Sequence, residues 1–293
     1  MRNPQGGLFA LGTSSHAYLE FDARGRAGRE LVGAIAGLRE PRTTMGGVNL
    51  VAGFRPELWR SVAPDEAPSG LEGFNADLAG PDAFSMPATQ RDAVLWLSGS
   101  AYDVVFETAR AAIAVLGPLA SVAEETSSWP YQHDRDLTGF IDGSENPTLI
   151  EAPSVVLVPE GSPGAGGTVL LLQKWEHDSA AWEGLPVAEQ EQVIGRTKPD
   201  SVELDGKLDT SHVARTDQDT FGHIFRRNMP YGTVTRHGTM FVGFAANQRP
   251  LTAMLESMAG LGGERDALTL YTRPLTGAYY FVPSNDALLA VSE

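Results

Sequence analysis

The sequence predicts an α+β fold: two ferredoxin-like halves packed sheet to sheet, a dimeric α+β barrel-like arrangement within a single chain. Three observations lead there. One order of strands and helices occurs twice along the chain. A long connection rich in Pro, Gly and Asp separates the two occurrences. The 293 residues, 42% hydrophobic and 20% charged, suffice for a sizeable core in one large domain or two intimate halves. The predicted halves are 1–130 and 131–293.

The elements follow from periodicity. Ala17-Tyr-Leu-Glu-Phe-Asp22 alternates as a strand, and Gly28 to Leu38 carries Leu31, Ile35 and Leu38 on one helical face. Val48 to Phe54 is a second strand and Pro56 to Val62 a short helix. The Pro- and Gly-rich stretch from Ala63 to Thr89 is an irregular loop. Asp92 to Ser98 is a third strand. Tyr102 to Leu116 is a helix with Val105, Ala109, Ala112 and Leu116 at helical spacing, stopped by Gly117-Pro118. Trp129 to Pro163 is the long connection, of the kind that usually carries function. Thr168 to Trp175 then reads as a strand, Pro186 to Arg196 as a helix, Gly238 to Ala245 as a strand and Pro250 to Met258 as a helix. This second series repeats the first by element order rather than by residue identity.

Composition excludes several classes. A net charge of −15 and a pI near 4.8 leave no basic stripe for nucleic acid. The absence of cysteine rules out disulfides, thiolate-bound iron–sulfur clusters and thiolate-ligated haem. The N-terminus has no signal-peptide pattern and no twin arginine. No apolar run reaches the roughly 18 residues of a membrane span, so a cytoplasmic address is expected.

The long connection holds the most informative stretch, Asp136-Leu-Thr-Gly-Phe-Ile-Asp-Gly-Ser-Glu-Asn-Pro-Thr148. Asp142 follows the apolar pair Phe140-Ile141, and Gly139 and Gly143 let the backbone pack closely around it, which suits a partly dry pocket. Asp142, Ser144 and Asn146 alternate like the start of an EF-hand. Pro147 and Pro153 at the sixth and twelfth positions exclude that calcium loop.

Gly139-Phe-Ile-Asp-Gly143 followed by Ser144-Glu-Asn-Pro147 resembles the signature of dye-decolorizing peroxidases, a family of haem enzymes. The likeness extends over nearly the whole chain, with specific motifs near Asp136–Thr148 and Arg196–Tyr231, and the compact length resembles the shorter bacterial branch. It implies the two-half fold already inferred and one haem b per chain. The activity it implies is reduction of hydrogen peroxide through a ferryl intermediate, at the expense of dyes, phenols or other one-electron donors. A homo-oligomer is also expected. A haem-handling protein on the same fold is the alternative. Cargo of a protein shell is another, although the chain ends barely past its last strand without a long docking tail.

A haem peroxidase needs an axial base, a proton shuttle, a fixed positive charge and partners for the propionates. Spacing alone does not choose among His16, His133, His177, His212, His223 and His237. The resemblance points to His212, since Thr210-Ser-His-Val-Ala-Arg-Thr-Asp217 is similar to the family's proximal segment. A carboxylate or carbonyl should receive its other ring nitrogen; Asp217 and Asp219 are nearest in sequence. Phe225-Arg-Arg-Asn-Met-Pro-Tyr-Gly232 is similar to the distal-arginine segment, which assigns the fixed charge to Arg226 and a distal polar role to Asn228. Asp142 becomes the shuttle, and a carboxylate there predicts turnover that is best below about pH 6. Arg196 is the expected propionate partner. Ile141, Ser144, Asn146, Phe241 and Phe244 are expected around the haem. Trp59, Trp96, Trp129, Trp175 and Trp182 are packing residues unless exposed, where one could relay an electron.

Overall fold

A computed structural model describes residues 2–38 and 47–292. The N-terminal half runs β1 (Ser15–Ala23), α1 (Gly28–Ala36), β2 (Val48–Phe54), α2 (Pro56–Val62), a small hairpin of β3 (Leu78–Ala79) and β4 (Ser85–Met86), β5 (Ala93–Gly99), α3 (Tyr102–Leu116) and β6 (Ala120–Ser128). A short α4 (Ala152–Val156) lies in the long connection. The second half contains β7 (Thr168–His177), α5 (Ser179–Glu183), α6 (Val187–Ile194), α7 (His212–Arg215), α8 (Gln218–Phe221), β8 (Phe225–Arg226) and β9 (Met229–Gly232). It closes with β10 (His237–Ala245), α9 (Arg249–Met258), β11 (Thr272–Pro274), β12 (Ala278–Val282) and α10 (Asn285–Ser292).

The sheets confirm the two-half architecture. The first half orders its strands β6-β1-β5-β2 and the second β12-β7-β10-β9, the same antiparallel βαββαβ topology. The two sheets join at thin seams. Phe281 pairs with Phe54 on one side and Ser128 with Tyr231 on the other, and the ring closes. The predicted helix ending at Leu38 stops at Ala36. The stretch 39–46 lies outside the described residues.

Closure gives every barrel strand an inside and an outside. On β1, Ala17, Leu19 and Phe21 join the core beneath α1 and α3, whereas Tyr18 joins a separate cluster with Trp96, Leu170, Leu172, Val242, Phe244 and Tyr280 that fills the lumen. The lumen is not wholly apolar. Tyr280 donates its hydroxyl to the buried Glu20, and Lys174 pairs with Glu124. This explains why β6 escaped the sequence reading: Ala120-Ser-Val-Ala-Glu-Glu-Thr-Ser-Ser128 is too polar to look like a barrel strand, yet Thr126 and Ser128 are buried.

Burial pushes the Glu20 carboxyl up to about 7, and Glu124 adds to this while the Tyr280 hydroxyl offsets part of it. The folded protein therefore holds this proton where the unfolded chain has released it. The associated stability is fully present below the unfolded value and is lost as pH rises through about 7. Glu20→Gln should flatten the profile: between pH 5 and 8 the parent loses on the order of 1–3 kcal/mol that the variant keeps. Urea unfolding across that range measures it, and parallel profiles would contradict it.

Candidate active site

A cavity of about 1190 Å³, its open mouth included, lies against the outer face of β7 and β10 and beneath α6, α7 and α9. Leu171, Phe241, Ile224, Leu251 and Met254 make its walls apolar. Asp142, Arg226, Asn228, Arg196 and His212 bring polar groups into it.

His212 opens α7, where the Ser211 side chain caps the helix by accepting from Ala214 N at 3.4 Å. Its Nδ1 lies 2.7 Å from Oδ2 of Asp266, a carboxylate with no exposure. The other Asp266 oxygen accepts from Leu268 N at 2.9 Å, which fixes the carboxylate. Nδ1 of His212 is thereby the donor and Nε2 keeps its lone pair. The expected partners play another part: Asp217 caps α8 by accepting from Asp219 N at 3.0 Å. Asp266 stands 54 residues downstream, and nothing in the local sequence could have linked it to His212.

The Asp136–Thr148 loop is held to β8 by one side chain. Asn146 donates from Nδ2 to Arg226 O at 2.8 Å and accepts from Arg226 N at 2.8 Å, so its amide acts as an extra strand partner for Arg226. Gly143 makes room for this amide: its φ is +70°, and a Cβ there would come 2.8 Å from Asn146 Nδ2. Beside it, Asp142 Oδ1 accepts from Gly143 N at 2.8 Å and from Asn228 Nδ2 at 3.3 Å. The Asn228 carbonyl oxygen accepts from Val242 N at 3.0 Å, anchoring Asn228 to β10.

Two aspartates of this loop meet opposite fates. Burial raises the Asp142 carboxyl above its ordinary value, only partly opposed by Arg226. Burial acts on Asp136 too, but the His177 imidazole, the Thr239 hydroxyl and the Thr138 amide hold it below its ordinary value.

Arg226 and Arg227 part company. Arg226 faces the cavity, with a buried Nε that has no partner. Arg227, 4% exposed, faces the barrel interior, stacks 5.0 Å over Trp96 and donates to the carbonyls of Leu8 and Ala10.

Other expected residues divide. Ile141, Ser144 and Phe241 line the cavity. Phe244 does not: three residues along the strand from Phe241, it faces the lumen with Trp96. Asn146 lies outside the cavity wall, its amide spent on Arg226. Arg196 lines the cavity from just beyond α6, after Gly195 ends the helix at a φ of +93°. Its guanidinium pairs with Glu145 and donates to Ser201 O at 2.8 Å. His16 is sealed in the lumen, accepting from Trp96 Nε1 at 3.1 Å. His177 also lines the cavity, which the sequence reading did not foresee. Of the five tryptophans, Trp129 alone is exposed, at 38%. Among the described residues no acidic and histidine cluster is arranged to hold a bare metal ion.

These features fit a large flat apolar cofactor with a coordinating centre. Nε2 of His212 is free for a metal held by that cofactor, Arg196 is a cation for peripheral carboxylates, and the orphaned Arg226 Nε and Gln173 Nε2 call for partners within the cavity.

The family model for the C-terminal region of Dyp-type peroxidases matches residues 133–287. A dye-decolorizing peroxidase of Brevibacterium linens is 34% identical, over 89% of this chain and 74% of its own. One from Mycobacterium tuberculosis is 35% identical, over 88% and 78%. The structure of a DypB variant of Rhodococcus jostii in complex with heme superposes with a TM-score of 0.90 at 32% identity, covering 99% of both chains.

The Asn146 clamp makes a direct prediction. Asn146→Ala should cost about 1–3 kcal/mol in urea unfolding, the sum of two part-buried hydrogen bonds. Asn146→Asp keeps the acceptor for Arg226 N but loses the donor to Arg226 O, and should also destabilise. Two variants as stable as the parent would mean that the clamp does not form.

Proposed function

The chain belongs to the dye-decolorizing peroxidase family, and from that membership we propose a haem b peroxidase in which His212 holds the iron, Asp142 moves the proton and Arg226 supplies the fixed charge. The observation that carries this reading is the convergence of these three side chains on one apolar cavity, with His212 oriented by the buried Asp266, Asp142 by Asn228 and the backbone of Arg226 by Asn146. In this reading the whole site belongs to the half 131–293.

Haem, when bound, supplies a metal centre that can take up two oxidising equivalents from peroxide and return to rest by accepting electrons singly. Everything else falls to the chain. His212 offers Nε2, and Asp266 strengthens it as a ligand by accepting from Nδ1. Arg196 would meet the propionates, sharing its charge with Glu145. Peroxide has its own approach, a cleft from Leu11, Tyr131 and His133 at the surface to Asp142, Arg226 and Asn228 at its floor.

At that floor the ionised Asp142 carboxylate accepts the proton from one peroxide oxygen and delivers it to the other, which departs as water. Asn228 holds the carboxylate in place through Nδ2. Arg226 donates to the oxygen on which negative charge develops. The apolar walls make that donation stronger than it would be in water.

The two distal residues should fail differently. Arg226→Leu removes a donor of a kind worth about 10²–10³ in rate, so the reaction of the haem-loaded protein with peroxide slows at least tenfold at every pH. In the parent the same reaction slows as pH falls through the raised Asp142 value, because the protonated carboxyl no longer accepts, so the peroxide step runs against the optimum below about pH 6 that the sequence leads one to expect for turnover. Asp142→Asn abolishes that pH dependence and costs less than Arg226→Leu where pocket water replaces part of the shuttle. Stopped-flow absorption measures both, and near-parent rates in both variants would remove these residues from the peroxide site.

His212 has a separate test. His212→Ala should lose haem or alter its absorption spectrum, whereas His223→Ala, at an exposed position, should not. The opposite pattern would reassign the ligand.

A further inference from the structure

The barrel lumen has a polar side that the site above does not use. On β1 and β6 the inward residues lie directly opposite one another: His16 faces Ser128, Tyr18 faces Thr126 and Glu20 faces Glu124. Opposed side chains of an antiparallel pair stand about 4.5–5.5 Å apart at Cβ, so these residues form one continuous strip. Tyr231 of β9 extends the strip beyond Ser128, its partner across the seam. Lys174 reaches it from β7, pairing with Glu124 and standing 5.2 Å from the centre of the Tyr231 ring. One end of the strip meets solvent: the Glu124 side chain is 36% exposed, whereas Glu20 opposite it is 3% exposed.

Among the described residues, four hydroxyls of this strip have no hydrogen-bond partner in the protein: those of Tyr18, Thr126, Ser128 and Tyr231. Tyr18, Thr126 and Ser128 are buried, at 1%, 4% and 3% exposure. A buried hydroxyl without a hydrogen bond is costly, and folded proteins rarely leave one, let alone several side by side. Here each lies opposite or next to another polar residue, and a buried water takes about three such partners. Hydroxyls donate or accept, carboxylates accept and Lys174 donates, so the strip offers both senses of bond. Its remaining polar groups are already occupied. His16 accepts from Trp96 at Nδ1 and donates from Nε2 to Thr13 O at 3.3 Å. Tyr280 donates to Glu20. The charged and titratable groups around Glu20 are Glu124, Tyr280, Lys174 and Arg91, and Arg91 is paired with Asp22. On the β5 side Glu20 faces the apolar Val94.

We propose that this strip binds a file of water molecules inside the barrel, entering at Glu124 and Lys174 and held by Thr126, Tyr18 and Ser128, and that Glu20 exchanges its proton with solvent through it while the protein stays folded. The proton leaves the Glu20 carboxyl for the adjoining water and emerges in bulk solvent at the mouth. The carboxylate left behind keeps the Tyr280 hydroxyl as its donor, with Lys174 nearby. The file also accounts for the composition of β6, whose inner face of Glu124, Thr126 and Ser128 suits water better than an apolar core. Neither peroxide nor the cofactor takes part, so the inference stands apart from the peroxidase reading.

Two measurements on the haem-loaded protein test it. Burial raises the Glu20 carboxyl to about 7, so it is protonated at a slightly acid pH. Infrared difference spectra between the parent and Glu20→Gln then isolate its carbonyl stretch. On transfer to heavy water that band shifts as deuterium replaces the proton, and the amide II band of the same sample times the opening of the barrel. The expected result is a Glu20 band that shifts fully while the most protected amides still hold their protons. A band that shifts only together with those amides would overturn the proposal, because a dry lumen admits deuterium only when the barrel opens. The second measurement is the sign of a stability change. Tyr18→Phe and Thr126→Val each remove one hydroxyl with little change of shape. Where water bonds to that hydroxyl, the unfolding constant from urea titration rises about two- to tenfold, the loss of one hydrogen bond. In a dry lumen the same substitutions remove an unsatisfied group, so unfolding constants equal to or below the parent's would also overturn the proposal. This second arm does not depend on Glu20→Gln and decides the matter if that variant fails to fold.

Discussion

Two-sidedness of the barrel strands governs this molecule. A closed sheet has no edge along which a side chain can escape, so each residue commits to lumen or exterior, and its neighbour takes the other side. Adjacent arginines with the same charge thereby acquire unrelated tasks. Arg226 points at the cofactor cavity and Arg227 at the ring of Trp96. Phe241 and Phe244 separate for the same reason, three residues apart on β10. Register decides function here more than residue type does, and the Asn146 amide, bonded to both backbone groups of Arg226, belongs to that register as much as any ladder bond.

Within the site, what distinguishes one buried acid from another is its neighbours. Asp136 and Asp142 lie six positions apart. Asp136 is surrounded by donors and stays charged, a structural anion that orients Thr239 and, through it, His177. Asp142 accepts from Gly143 and, at longer range, from Asn228, and burial lifts it toward the protonated form. In the proposed mechanism Asp142 takes and releases a proton, which needs that poise; a group that holds a scaffold does not.

Much of this was legible in the sequence, and the failures have physical causes. Strands such as Val48–Phe54 and helices such as Tyr102–Leu116 announced themselves because one face is apolar and packs on the core. The repeated element order revealed the two halves. The polar β6 was invisible because hydrophobic periodicity cannot report a strand whose inner face meets Glu20 and Lys174. Asp142, Arg226, Asn228 and His212 were recognisable as residues in family-like segments. Asp266 and His177 were not, because each reaches the site through tertiary contacts that leave no local pattern. Asn146 stood in the motif as a residue that could position it or touch the cofactor, and its amide bonds to the backbone of Arg226.

Among the described residues the N-terminal half contributes no side chain to the cavity, and yet the cavity depends on it. Among the described residues Arg227 is a buried cation without a carboxylate partner, an expensive arrangement unless its donors find other acceptors. Two of its donors go to the carbonyls of Leu8 and Ala10, in and just past the 3-10 turn Gly6–Phe9, and the guanidinium plane stacks on Trp96. That segment is itself pinned by Gln5, which donates to Ala52 O and Pro283 O at 2.9 Å each and accepts from Ala52 N at 2.7 Å. Ala52 belongs to β2 of the first half, and Pro283 follows β12 of the second. The chain's first ten residues therefore tie both halves to the residue next to Arg226, and the cavity-facing arginine inherits its position from the closed barrel as a whole. A second half taken alone would keep His212 and Asp266 in register through α7 and the turn beyond α9, and β8 would keep β10 and the Asn146 amide but lose the contacts of Arg227 with Leu8 and Ala10. The first half is thus part of the frame against which Arg226 is held.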